Sequence, residues 1–197
     1  MEQQILSTLR DGNKKRALEL MARAWSVQLG RFCAGMVGCA DAEELLQETF
    51  VIAWQELDTY RGDGSLRAWL YGIAHCLCAS HLRKRDRRRG LFARFFESSE
   101  PLSASSTEEC IRKNEERQLL EKALLELKPS WREAVLLYYQ GQFSMQQIAE
   151  MLSVSPANAR KRVSLGVAAL RKSLYPVLMR PDRAQGGQNE NETHQSM

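Results

Sequence analysis

The most restrictive stretch of the chain is Ser144–Leu174, SMQQIAEMLSVSPANARKRVSLGVAALRKSL. Ile148, Ala149 and Leu152 recur at helical spacing, Ser153-Val154-Ser155 interrupts, and Ala159, Val163, Val167, Leu170 and Leu174 resume the stripe. Two apolar stripes split by so short a break require two helices packed across a tight turn, the layout that places one helix in the DNA major groove. Ser155 can accept a hydrogen bond from a free amide as N-cap, and Pro156 loses nothing at the first helical position, where its N–H would be unpaired anyway. The second helix is therefore predicted to start sharply at Pro156. Off its stripe lie Asn158, Arg160, Lys161, Arg162 and Ser164, with Arg171 and Lys172 beyond, and residues 156–175 contain no carboxylate. A cap, a turn and an acid-free cationic face favour nucleic acid as partner over the solvated face of an ordinary bundle.

Elsewhere the charge is segregated. A formal net charge of +4 is too mild to name a partner, but Asp41–Asp58 (DAEELLQETFVIAWQELD) holds carboxylates and no base, whereas Arg83–Arg94 holds seven bases against the single Asp86. Opposite surfaces should serve opposite partners. Helical periodicity runs from Ala17 through Leu20, Met21, Trp25, Leu29, Phe32, Cys33 and Met36 to Val37, where Gly38 can end the helix. Asp41 is a plausible N-cap for a second helix with Leu45, Leu46, Thr49, Phe50, Ala53, Trp54 and Leu57 on its apolar side, and a third runs from Ser65 through Leu70 and Leu77 into the basic run. The Ser-rich stretch SSEPLSASST, residues 98–107, cannot support a core. Periodicity returns at Leu119–Leu127, breaks at Lys128-Pro129-Ser130, and resumes from Trp131 until Gly141. The expected architecture is all-α: one small helical domain over residues 1–90, a flexible linker over 91–114, a second helical domain over 115–176, and a disordered Gln/Asn/Gly-rich tail over 177–197. The two domains are expected to move relative to one another.

Several classes of function find no support. No apolar run approaches the length of a membrane span and the first residues lack a signal-like core, so a cytoplasmic protein is expected. The cysteines, Cys33, Cys39, Cys76, Cys78 and Cys110, are odd in number and lack a paired CxxC spacing, which predicts buried reduced thiols. His75, Cys76, Cys78 and His81 on one continuous helix point in different directions and do not converge as a tetrahedral metal site requires, so no metal and no cofactor are expected. There is no glycine-rich phosphate loop, no HExxH and no convergent acid–base set, so the chain is not read as an enzyme.

Two separate stretches resemble one family. Asp41–Phe50 (DAEELLQETF), with Tyr60-Arg61-Gly62-Asp63 and Ser65–Ala74 (SLRAWLYGIA), resembles region 2 of bacterial sigma factors of the extracytoplasmic-function group; Ser144–Leu174 resembles their region 4. The resemblance implies a protein that binds core RNA polymerase, directs it to promoter DNA and helps open the duplex. It implies that Asp41, Glu44, Gln47 and Glu48 dock on the clamp of the largest polymerase subunit. Tyr60, Arg61, Leu66, Arg67 and Tyr71 stand where the family contacts and melts the start-site-proximal element, and His81, Arg83, Lys84, Arg85 and Arg87 continue that helix as backbone-contacting positives. Melting needs flat groups to stack on bases and cations to hold separated strands. Trp69 lies among these residues, but its spacing to Leu66, Leu70 and Ile73 places it in the core. Asn158, Arg160, Lys161, Arg162 and Ser164 stand where the family meets the upstream element, with Arg160 as base reader because Arg reads guanine through two hydrogen bonds. The resemblance also implies an anti-sigma protein, often membrane-anchored, as regulator, and a linker that threads the RNA exit path. Ser153 stands where a Gly commonly makes the turn, at a cost in backbone strain if it is left-handed. The alternative is a helix-turn-helix regulator that acts without joining polymerase, which leaves the acidic helix, the basic helix and the linker unexplained.

Overall fold

The computed structural model describes residues 1–60, 62, 64–92 and 108–178. Every regular element among them is helical: α1 (Glu2–Arg10), α2 (Lys14–Val37), α3 (Cys39–Glu56), a 3-10 turn (Leu57–Thr59), α4 (Leu66–Phe92), α5 (Glu108–Glu126), α6 (Pro129–Tyr139), α7 (Met145–Met151) and α8 (Pro156–Leu178). The short α1 precedes the helix expected from Ala17 and buries Ile5. Asn13 starts α2 by accepting from the Arg16 amide at 3.0 Å.

The first domain packs α1, α3 and α4 around α2. Met21, Leu29, Phe32 and Met36 of α2 meet Leu45 and Ala53 of α3 and Leu70, Ala74 and Cys78 of α4 in one core. Each large apolar side chain buried there contributes about 1.5 to 3 kcal/mol relative to exposure. Thr49 is the polar exception in α3; its hydroxyl donates to the Leu45 carbonyl at 2.6 Å, so no lone donor is buried. Gly38, at φ 99°, turns the chain between α2 and α3 in a single residue. For that reason Asp41 is not the N-cap expected of it: α3 already begins at Cys39, and Asp41 sits in its first turn. The start of α4 is sealed by Glu2, whose carboxylate accepts from the Leu66 amide and from the Ser65 hydroxyl, a negative charge on the positive end of the helix dipole.

The second domain is built from α5 to α8. Pro129 opens α6 at the break expected there. The chain then folds back over Gly141, where an added Cβ would lie 2.5 Å from the Phe143 ring and 2.6 Å from the Leu137 carbonyl. Ser144 and Gln147 form a reciprocal capping box on α7. Ser153 does adopt the left-handed conformation, at φ 51°. Its N–H reaches the Glu150 carbonyl (3.2 Å) and the Val154 N–H the Ala149 carbonyl (2.9 Å), the paired closure of a Schellman end. Ser155 accepts from the Asn158 amide at 3.2 Å, so α8 starts at Pro156 as its sequence requires. Ala159 and Val163 anchor α8 inward, and Gly166 lets it lie against α6, since a Cβ there would meet Val135 at 2.5 Å.

The linker expectation changes. Helix α5 begins at Glu108 and α4 reaches Phe92, so both ends of the stretch expected to be linker are helical, while residues 93–107 and the tail beyond 178 lie outside the described residues. The two domains share a continuous core: Gly35 of α2 receives Leu136 of α6 so closely that a Cβ would lie 2.5 Å from its Cδ2.

Candidate nucleic-acid and polymerase interfaces

On α8 the buried anchors Ala159 and Val163 force the remaining first-turn residues outward, and Asn158, Arg160, Lys161 and Ser164 are exposed, with Arg162 half-buried. Among the described residues none of these cations forms an ion pair. The face therefore carries uncompensated positive charge at the mouth of a helix-turn-helix, ready for phosphates and base edges.

The basic end of α4 is less uniform. Arg83, Lys84 and Arg87 are exposed, and Arg87 Nε donates to the Arg83 carbonyl at 3.3 Å along its own helix. Arg85, expected on the phosphate-contacting face, instead donates from Nη1 to the Val37 carbonyl at 3.0 Å, where it caps the negative end of α2. His81, expected to face DNA, and Asp41, expected to face polymerase, meet each other: His81 Nε2 lies 3.0 Å from Asp41 Oδ2.

Along the N-terminal half of α4 the expected melting residues separate into two groups. Tyr60 packs its ring 5.6 Å from Trp69 and donates its hydroxyl to the Gly64 carbonyl at 2.9 Å. Trp69 is half-buried against the core, as its spacing suggested, and Arg67 is half-buried beside it; Arg61 lies outside the described residues. Leu66 and Tyr71 do not present themselves to a ligand. Leu66 is 0% exposed, its side chain in the core while its amide donates to Glu2, and Tyr71 is 1% exposed. The Tyr71 ring stands 5.3 Å from Phe32 of its own domain and 5.0 Å from Phe143 of the other, and this desolvation pushes its phenol up to about 12.

On α3, Glu44, Gln47 and Glu48 are exposed along one side, with Asp41 half-buried. The same side continues into two apolar residues that sequence reasoning missed: Val51, 55% exposed, and Trp54, 42% exposed and expected in the core. Lys14 lies 4.9 Å over the Trp54 ring. The spacing 44, 47/48, 51, 54 was a usable signal, since it places all of them on one face of a helix. An acidic flank beside an exposed aromatic is a surface that can dock on a basic protein surface and bury area in doing so.

The seam between the domains brings together residues with no local sequence signal. Glu121 of α5 accepts from the Cys39 amide (2.6 Å) and the Cys39 thiol (2.9 Å), which caps α3 from the other domain; burial and the carboxylate push that thiol up. Arg132, only 4% exposed, reaches the Leu125 carbonyl at 3.4 Å, and burial with Arg85 nearby pushes its guanidinium down. His75 Nε2 is 3.7 Å from Glu133, beyond hydrogen-bond reach, and it, Arg85 Nε and Arg132 Nε are buried without a partner. The thiols divide as well: Cys33 and Cys78 are buried, and Cys33 hydrogen-bonds Cys78 and raises it, but Cys39 and Cys76 are exposed, against the expectation of burial.

These features define a two-domain helical protein with one DNA-reading helix pair and a separate domain bearing an acidic and a basic face. Residues 21–88 match the family model of Sigma-70 region 2 and residues 117–170 that of Sigma-70, region 4. The RNA polymerase sigma-H factor of Pseudomonas aeruginosa is 27% identical over 185 residues, covering 90% of this chain and 95% of its own. The ECF RNA polymerase sigma-E factor of Escherichia coli K12 is 25% identical over 186 residues, covering 91% and 97%. Among solved structures, the sigma factor RpoE of Bartonella quintana, in complex with the anti-sigma factor NepR, superposes with a TM-score of 0.65 at 25% identity, over 80% of this chain and 96% of that one. CnrH in complex with the cytosolic domain of CnrY shares the fold, with a TM-score of 0.64 at 23% identity over 89% and 97%. The chain belongs to the extracytoplasmic-function group of sigma factors. It is an alternative sigma factor and directs RNA polymerase to promoters.

Proposed function

We propose a division of labour between the surfaces. Glu44, Gln47 and Glu48, with Val51 and Trp54 beside them, dock α3 on core polymerase. Asn158, Arg160, Lys161, Arg162 and Ser164 hold the upstream promoter element, with Arg160 reading a base and Lys161 anchoring phosphate. Tyr60, Arg67, Arg83, Lys84 and Arg87 engage the start-site-proximal element as it opens, joined by Tyr71 once the domains separate. The chain supplies binding and positioning and no catalysis of its own, and it works in the cytoplasm beside the RNA polymerase it directs. An anti-sigma protein is the expected regulator: the Bartonella quintana sigma factor of similar structure is bound by one, and an apolar furrow between the domains, lined by Val27, Gly30, Ala34, Leu46, Leu120 and Leu124, is available to such a partner.

The observation that carries this reading is the exposed, unpaired cationic face of α8 immediately after its Ser155 cap. The test is transcription from purified core polymerase with the chain in which Arg160 and Arg162 are both Ala. Promoter-specific transcripts should disappear while co-purification with core polymerase persists. Retained promoter choice would reject the assignment of α8.

A further inference from the structure

One bulky apolar side chain stands on the reading face of α8. Ala159, Val163 and Gly166 are buried, and at 3.6 residues per turn the other side of the helix carries Asn158, Arg160, Lys161, Ser164, Leu165 and Ala168, all exposed. Arg160 lies at one edge of that side and the half-buried Arg162 at the other. Leu165 falls between them, one turn beyond Lys161 and two turns beyond Asn158, and is 38% exposed. A single exposed leucine is ordinary on a protein surface. The surroundings of this one are not: its neighbours Ser164 and Ala168 are short, and residues 156–175 contain no carboxylate, so nothing on the face repels a phosphate backbone. The other exposed apolar side chains of the second domain have a different setting. Leu120, Tyr139 and Tyr175 line one cavity among α5, α6 and α8, and Tyr138 meets Tyr139 edge-on at 5.0 Å.

Seating this face in the major groove takes Leu165 out of water. The base edges there present hydrogen-bond donors and acceptors, and the one apolar group among them is the C5 methyl of thymine. An isobutyl side chain makes no hydrogen bond, so it gains most where a methyl lies beneath it and gains little over a polar edge. We propose that Leu165 is a specificity-determining residue: its side chain packs on the methyl of a thymine, so that the promoters this chain selects carry an A·T pair at that place in the upstream element. The inference rests on the assignment of α8 to that element and adds to it a residue and the base it prefers. At 1.5 Å per residue Leu165 lies about 10 Å along the helix from Asn158, so the thymine stands about three base-pair steps from the pair that Asn158 faces. Arg160 and Lys161 supply hydrogen bonds and charge, and Leu165 supplies discrimination that neither cation can make.

The test lets core polymerase carrying the full-length chain select from duplexes whose upstream element is randomised. The selected sequence is then rebuilt with deoxyuridine at each thymine in turn, which removes the methyl and keeps the hydrogen-bonding edge. Wild type should enrich one invariant A·T pair, and deoxyuridine there should weaken capture about fourfold, the equivalent of about 0.8 kcal/mol for one carbon taken out of an apolar contact. Leu165→Ala, an exposed change to a strong helix former, should capture the thymine and deoxyuridine duplexes equally and lose the enrichment at that pair alone. Leu165→Met, which keeps an apolar reach, should retain it. An unchanged selected sequence from Leu165→Ala, a wild type indifferent to deoxyuridine at every thymine, or a Leu165→Ala variant as sensitive as wild type would each overturn the proposal. Arg160→Ala separates this inference from the proposed function. If that variant changes the selected sequence and Leu165→Ala does not, α8 keeps its role and only Leu165 loses its own; if neither changes it, the assignment of α8 falls as well.

Discussion

Replacing Ser153 by Gly should stabilise the second domain, and the size of the effect can be worked from the turn. Ser153 is the left-handed residue of a Schellman closure, with both backbone bonds already made and its side chain exposed. The substitution therefore removes no contact that supports the fold. A left-handed conformation costs an L-residue about 1 to 2 kcal/mol, a cost Gly does not bear. Gly in turn loses more backbone freedom on folding, about 0.5 to 1 kcal/mol. The balance is a gain of about 0.5 to 1 kcal/mol, and for a domain of this size that raises the midpoint of thermal unfolding by about 3 to 6 °C. Circular dichroism melts of the full chain read it directly. A fall in the midpoint would refute the reasoning, because it would mean that the Ser153 side chain contributes more than its backbone strain costs.

Reversing the charge at Glu44 and Glu48 should weaken pull-down of core polymerase while leaving the fold and the α8 face intact; unchanged capture would show these acids to be merely solvated. Alanine at Trp54 should weaken the same pull-down by a further several-fold, and an undiminished signal would remove the exposed aromatic from the docking surface. Tyr71 should ionise well above the ordinary phenol range. Because its folded value lies near 12 and its ordinary value near 10, its contribution to closure is complete below about pH 10 and lost as pH rises through 12. Absorbance titration near 295 nm should show one late step that Tyr71→Phe removes, and the absence of that step would place the ring in water.

How much of this could be read from the chain depended on how local each cause is. Ser155-Pro156, the Ser144 start and the stop at Gly38 act within a few residues, and each element boundary they imply is present. The burial of Trp69 followed from its own spacing for the same reason. Asp41 misled because a glycine at φ 99° made a polar cap unnecessary, and the carboxylate that does serve Cys39 comes from Glu121, distant in sequence. Leu66 and Tyr71 were legible as members of a motif but not as buried residues, since Leu66 joins a core assembled from several helices and Phe143 of the other domain packs on Tyr71. Gly35, inside an otherwise well-formed helix, was the one local sign that another backbone or side chain approaches there. Trp54 and Val51 show the converse: apolar residues in a helical register that stay largely exposed, Trp54 with only Lys14 seen over its ring among the described residues.

The Asp41–His81 contact fastens the start of α3 to the middle of α4 at a point where neither helix has a joint. If a partner seats on the acidic face of α3, this contact ties its motion to α4, a linkage of at most about 1 kcal/mol for so exposed a pair. Single substitutions at either residue are expected to loosen α3 against α4. Exchanging the two, with Asp at 81 and His at 41, is the change that would restore the linkage while reversing the polarity of its ends.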